Sequence, residues 1–187
     1  DSHAPRFVHA GRFPHNKDRR MHLLSTQAVG DMSVAIYALK ASAEDYARME
    51  QAITLAAQCP PSKGAYSVGA VIVTEDGQVF TGYSRETAPT NHAEEEAILK
   101  AIQAGSRLTG ATVYSSMEPC TTRKSKPASC SELIILHRMK RVVFAAYEPP
   151  TFVTCLGEAV LRQAGIEVTI LSDLAQKALD VNRHLAK

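Results

Sequence analysis

Four side chains in this sequence have the types and the spacing for metal-assisted hydrolysis. They are His92 and Glu94 in Asn91-His92-Ala93-Glu94, Cys120 in Met117-Glu118-Pro119-Cys120, and Cys130 further on. An imidazole and two thiols form a soft donor set suited to one Zn2+. Three protein ligands leave a fourth tetrahedral position open to water, which separates a catalytic zinc from a closed structural one. Glu94, two residues past His92, does not point along the line of the imidazole and can reach that water instead of the metal, as general base and then acid. Such a role needs a raised pKa, which a water-poor pocket supplies. Each fragment alone is weak. A His-x-Glu at a helix start is common, and a lone cysteine is usually a small hydrophobe, the reading given to Cys59 and Cys155. The combination is specific because the donors fall at a helix start, a strand end and a second helix start.

The elements that must deliver them can be read from the pattern. Tyr46, Met49, Ile53 and Ala56 or Ala57 share one face of a helix over 44–58, which Cys59-Pro60-Pro61 stops. Two β-branched runs, 68–74 and 78–83, meet at Glu75-Asp76-Gly77, an Asp-Gly hairpin signal. A helix opens near Asn91 and ends at Gly105, and a strand over 111–116 leads to Glu118-Pro119-Cys120. Cys130 begins a further helix, whose N-terminal partial charge favours thiolate there. Strands at 141–146 and 166–171 alternate with helices over 155–164 and 172–184, the last capped by Ser172-Asp173, which implies parallel strands with helical crossovers. Ahead of these, residues 1–20 read as a basic flexible tail and 21–43 as a helical N-terminal extension, with Leu23, Leu24, Ala28, Val29, Met32, Ile36 and Leu39 as its apolar positions. The functional domain is then 44–187.

Composition narrows the class. The 187 residues suffice for one full domain, and 45% hydrophobic with 21% charged residues is that of an ordinary globular protein. No apolar run approaches a membrane span, and the polar, basic start lacks a secretory h-region, so cytoplasmic residence is expected. A net charge of +2, no Trp and 6% aromatic residues argue against a protein that tracks a nucleic-acid backbone.

At the residues named, the chain resembles the cytidine-deaminase-like superfamily of zinc enzymes, and more narrowly the deaminase domain of the riboflavin-biosynthesis deaminase-reductases. The likeness runs over roughly residues 45–171. It includes Val68-Gly69-Ala70-Val71-Ile72-Val73, His92-Ala93-Glu94, Glu118-Pro119-Cys120, Cys130 with Leu133-Ile134, Arg141-Val142-Val143 and Ala164-Gly165-Ile166-Glu167-Val168. Most of the superfamily separates the two cysteines by two residues; the riboflavin branch uses a longer insert, as this chain does. The resemblance implies a three-layer α/β/α fold around a five-stranded mixed sheet whose strands 4 and 5 are parallel. It implies Zn2+ held by His92, Cys120 and Cys130, with Glu94 as proton shuttle. The activity implied is hydrolytic deamination of a pyrimidine-type amino-heterocycle, with oxygen replacing the exocyclic amine and ammonia leaving. Strand 68–73 and the loop before it would form one wall of the base pocket. A homodimer or higher homo-oligomer is implied as well.

Substrate contacts are expected from Ala65, Ser84, Asn91 and Glu118. Ala65 stands where relatives often carry Asn, and Ser84 where Asn or His commonly meets a ribose. The loop 121–129 is not of the branch's His-Gly-Arg type, and after Leu171 only a short helix is expected, with no reductase half. Arg123, Lys124 and Lys126 lie between two ligands and could clamp a 5'-phosphate. Two rival functions stay open: deamination of a base within RNA or DNA, aided by the basic N-terminal arm, and a non-catalytic zinc module that binds a partner. Glu94 argues against the second.

Overall fold

The computed structural model describes residues 21–30, 32–39, 41–149 and 155–185. The basic segment 1–20 lies outside them. The chain divides into two units, one ending at Ser42 and the other Ala43–Lys187.

The first unit corrects the helix expected over 21–43. The chain there is an antiparallel hairpin of β1 (Met21–Val29) and β2 (Met32–Leu39), paired from Met21 opposite Leu39 to Val29 opposite Met32. Short apolar runs satisfy a period of 2 as well as 3.6, and the β-branched and aromatic content of 32–39 favours the pleated form. Gly30, at φ +59, supplies the left-handed backbone that a tight hairpin connection needs and a helix interior does not tolerate.

The second unit is a five-stranded sheet in the order β4-β3-β5-β6-β7: β3 (Gly69–Val73), β4 (Val79–Tyr83), β5 (Thr112–Met117), β6 (Arg141–Ala146) and β7 (Glu167–Ile170). β3 runs antiparallel to β4 and β5, while β5, β6 and β7 run parallel. The parallel strands are joined by α3 (Cys130–Leu136) and α4 (Gly157–Gln163), crossovers of the usual kind. Cross-strand register sorts the faces. Ile72, Val113, Val142 and Val168 line up on one face and pack with Ala97, Ile98, Ile134 and Leu161 of α2 (Ala93–Gln103), α3 and α4. Val71, Tyr114 and Val143 form the row on the other, beneath α1 (Ala43–Ala56) and α5 (Ala175–Asp180). The result is three layers.

Two glycines set how closely helices sit. A Cβ on Gly69 would lie 2.0 Å from Ala52 O of α1, and one on Gly82 would lie 2.4 Å from Ala93 O of α2. α1 is also tied to the sheet by a buried network. Arg141 Nη1 and Nη2 donate to the two Asp45 oxygens (2.6 and 3.1 Å), and the Tyr114 hydroxyl donates to Asp45 Oδ1 (3.0 Å). The C-terminal segment departs from expectation. Ser172–Leu174 is a 3-10 turn and α5 begins at Ala175, with no side-chain cap on either, so Ser172-Asp173 do not act as the N-cap. Among the described residues no helix is long and apolar enough to cross a membrane.

Candidate functional site

The site is built at the ends of three elements. His92 is the residue preceding α2 in extended conformation, and Glu94 sits in the first helical turn. Cys120 follows β5 through Glu118 and Pro119, and Cys130 is the first residue of α3. The start of α3 is fixed by a capping box. Ser129 Oγ accepts from Glu132 N (3.2 Å) and Glu132 Oε2 accepts from Ser129 N (2.7 Å). That Ser-x-x-Glu spacing is visible in the sequence and is a signal the motif reading leaves unused.

His92 Nδ1 lies 3.5 Å from Cys120 Sγ and 3.4 Å from Cys130 Sγ, and all three donor atoms lie within 4.8 Å of one another. Zn–S and Zn–N bonds of about 2.3 and 2.05 Å at tetrahedral angles put nitrogen and sulfur about 3.6 Å apart, so the donor set fits one zinc ion. The electrostatics agree. The hydrogen bond with the Cys130 thiol holds Cys120 well below the usual thiol range, with His92 adding to the effect. Burial opposes protonation of His92, but the hydrogen bond and charge of Cys120 outweigh it, and the imidazole is raised. Cys130 moves the opposite way from the thiolate expected at a helix start. Its hydrogen bond with Cys120, burial and the Glu94 charge push it well above the usual range. A helix of one or two turns cannot outweigh burial beside two negative groups, and a divalent cation is what relieves that repulsion.

Glu94 is buried. Its Oε1 accepts from Ser115 Oγ (2.9 Å) and its Oε2 from the Cys130 thiol (3.2 Å). Burial first, then the Cys120 charge, raises its carboxyl above the ordinary range. A cavity of about 310 Å³ opens on His92, Glu94 and Cys120. Cys130 is sealed behind them, so the exposed side of the triad faces the cavity.

The remaining sequence candidates separate. Ala65, Ser84, Asn91, Glu118, Arg123 and Lys124 line the cavity, whereas Lys126 does not. Lys126 Nζ pairs with Glu95 Oε1 (2.7 Å) and donates to Asn91 Oδ1. Arg123, with its side chain only 4% exposed, pairs with Glu95 Oε2 (2.9 Å) and donates to Ala128 O (2.6 Å). Glu95 thus neutralises two of the three cations and pins the inter-cysteine loop to α2. Lys124 is the exposed cation of the three. Ser84 Oγ accepts from Val68 N (3.1 Å) and donates to Val68 O (3.3 Å), extending the β3–β4 pairing. Glu118 Oε1 accepts from Glu158 N (2.8 Å) in the first turn of α4. The motif reading missed Tyr66, Arg85 and Glu148, which also line the cavity. Glu148 follows β6 and is pushed up to about 7, by burial first and then by the Cys120 charge. Its signal was available: ligands of parallel sheets bind beyond the carboxyl ends of the strands.

Residues 42–146 match the family model described as the cytidine and deoxycytidylate deaminase zinc-binding region. A diaminohydroxyphosphoribosylamino-pyrimidine deaminase of Schizosaccharomyces pombe is 45% identical over 127 residues, 67% of this chain and 31% of that protein. The chain therefore spans about a third of this relative's length. Among solved structures, the Aspergillus oryzae Rib2 deaminase in complex with DARIPP matches with TM-score 0.64 at 26% identity, covering 73% of this chain and 88% of that one. The Thermotoga maritima diaminohydroxyphosphoribosylaminopyrimidine deaminase/5-amino-6-(5-phosphoribosylamino)uracil reductase matches with TM-score 0.63 at 28% identity, over 75% of this chain and 40% of that one.

Proposed function

The chain belongs to the cytidine and deoxycytidylate deaminase zinc-binding family, and from that premise we propose that it hydrolytically deaminates a phosphoribosylated aminopyrimidine. The observation that carries the reading is the position of Glu94. It is a buried, protonatable carboxyl with Ser115 Oγ on one oxygen, beside three zinc donors whose accessible side faces a cavity.

When bound, zinc supplies a Lewis acid that makes water nucleophilic near neutral pH. The chain's own residues do the rest. Glu94 Oε2, the oxygen not held by Ser115, takes a proton from the attacking water and passes it to the ring nitrogen next to the amine-bearing carbon. The same carboxyl then carries the water's second proton to the departing nitrogen. The C–N bond breaks, a C=O bond takes its place, and ammonia leaves. Burial keeps Glu94 able to hold the proton between the two transfers.

Glu148 and Glu118 border the cavity and offer acceptors to ring N–H and amino groups, and Lys124 offers one cation for a phosphate at the mouth. That combination favours a base bearing several donors and a phosphate tail, as in the S. pombe relative's name. A homo-oligomer remains part of the proposal, and sedimentation at the monomer mass alone would count against it. Ammonia release from a panel of aminopyrimidine bases, nucleosides and nucleotides tests the function, with the phosphoribosyl diaminopyrimidine expected to be turned over best. Glu94→Gln is expected to keep one equivalent of zinc and lose turnover by about 10²–10⁴-fold, the usual contribution of a general acid–base. A Glu94→Gln protein as active as the wild type would remove the basis of the proposal.

A further inference from the structure

Beside the cavity the sheet comes apart. β3 and β5 pair from Val73 opposite Thr112 to Ala70 opposite Ser115 and no further, while β5 stays paired with β6 through Met117 opposite Ala146, and Glu118 N donates to Ala146 O (2.8 Å). Gly69 N is met by the Ser116 hydroxyl (3.1 Å). The N–H and C=O of Ser67 then have no strand beside them, and buried backbone groups of that kind demand partners.

Both are taken by one side chain 115 residues away. Asn182 Oδ1 accepts from Ser67 N (2.7 Å), and Asn182 Nδ2 donates to Ser67 O (2.9 Å) while lying 3.7 Å from Met117 Sδ at the end of β5. A carboxamide presents a donor and an acceptor side by side as the edge of a strand does. Asn182, 4% exposed, therefore stands in for the missing strand neighbour. From the β4 side the same loop is held by Arg85, whose Nη1 donates to Tyr66 O (3.0 Å) and Nη2 to Pro60 O (2.8 Å). Arg85 sits at φ +65, a conformation a non-glycine residue keeps only where its surroundings over-determine it. Gly64, Ala65 and Tyr66, next to these anchors, line the cavity.

We propose that Asn182 is a positioning residue of the substrate pocket: by pairing with both backbone groups of Ser67 it holds 64–66 as the wall on which the substrate rests. The proposal rests on the deaminase reading above and deepens it. Asn182 lies outside the residues shared with the family model, so it makes substrate affinity depend on the segment after β7. His92, Glu94 and Cys130 are placed by α2 and α3, which the pairing with Ser67 does not involve, and toward Cys120 the carboxamide reaches only the Met117 thioether, a weak acceptor, at 3.7 Å.

The test uses the zinc-loaded full chain with Asn182→Ala and Asn182→Asp, the latter keeping an acceptor for Ser67 N and losing the donor to Ser67 O. For Asn182→Ala, KM is expected to rise by about ten-fold or more with kcat within about three-fold of wild type, the signature of lost binding without lost chemistry. Zinc content stays at one equivalent. Amide exchange of 60–68 is expected to quicken by about ten-fold or more while 93–103 is unchanged. Asn182→Asp, which sets a carboxylate oxygen against Ser67 O, is expected to match or exceed Asn182→Ala. Asn182→Gln, which keeps the carboxamide one methylene out of place, is expected to fall between wild type and Asn182→Ala, and carries the test by the same criteria if the other two do not fold. Unchanged KM despite faster exchange, or a fall in kcat at unchanged KM, overturns the proposal. If the wild type releases no ammonia from any pyrimidine, it is the deaminase reading that fails. The brace is then judged by exchange alone: faster exchange at 60–68 supports it and unchanged exchange overturns it.

Discussion

Gly82→Ala is a one-methyl change that reaches the centre of the site. Gly82 lies in β4 beneath the first turn of α2, and its added Cβ would fall 2.4 Å from Ala93 O and 2.7 Å from Ala97 N. Both are backbone atoms, so no side chain can swing aside. Real Cβ contacts essentially never fall under 3.0 Å, so the start of α2 must lift by about 0.6 Å or more, or β4 must bend by as much. Overpacking of this kind costs about 1–3 kcal/mol, and each kcal/mol lowers Tm by roughly 2–4 °C in a chain of this size. The functional loss is larger than the stability loss. Ala93 sits between His92 and Glu94, so the lift carries a metal donor and the proton shuttle together away from Cys120 and Cys130, which stay on other elements. Misplacing a catalytic group by close to 1 Å costs on the order of 10²-fold in rate. kcat/KM by ammonia release, zinc affinity by competition with a chromophoric chelator, and Tm by circular dichroism would be measured together. Wild-type kcat/KM and zinc affinity in Gly82→Ala would show that the seat of α2 on β4 does not hold His92 and Glu94 in place.

Four further outcomes are expected. Ser129→Ala removes the hydroxyl that caps α3 beside Cys130 and should cost about 1 kcal/mol in urea unfolding and weaken zinc retention; an unchanged midpoint contradicts this. Asp45→Ala removes one of the two carboxylates that hold the buried Arg141 guanidinium, Glu167 Oε1 keeping Nε (3.0 Å), and should destabilise by about 1.5–3 kcal/mol, while kcat changes little because the network is remote from the cavity. Glu95→Gln should separate from wild type in a pH-dependent way, compared in metal-free protein. Burial alone would raise the Glu95 carboxyl, but Lys126 and Arg123 overcome it and lower its pKa below 4.5, so its stabilisation is present above that pH and lost as pH falls through the folded value. The stability gap between the two proteins should therefore close on acidification, and a gap constant with pH would refute the pairing. Lys124→Ala should raise KM for a phosphorylated substrate and not for its dephosphorylated form, whereas Lys126→Ala should leave that ratio alone; equal effects would contradict the division of labour around Glu95.

That division shows where sequence reasoning stops. His92, Glu94, Cys120 and Cys130 are legible because few residue types bind zinc, and because each falls where a periodic stretch begins or ends. Five strands and the crossovers between the last three are legible for the same reason. The stretch 21–43 is not, since its apolar spacing satisfies two periods and only the backbone at Gly30 decides between them. Charge is legible as a sum but not as a partnership. Arg123, Lys124 and Lys126 look equivalent along the chain until the phase of α2 is known. Glu94 then turns inward to Ser115 and Cys130, while its neighbour Glu95, a hundred degrees around the helix, meets the loop. Asn182 lies furthest from reach. Nothing near it in sequence marks it, because the vacancy it fills arises only where the β3–β5 pairing stops, at Ala70 opposite Ser115. The end of that pairing leaves the backbone of Ser67 without a strand neighbour, so the side chain that braces the wall comes from the distant segment after β7.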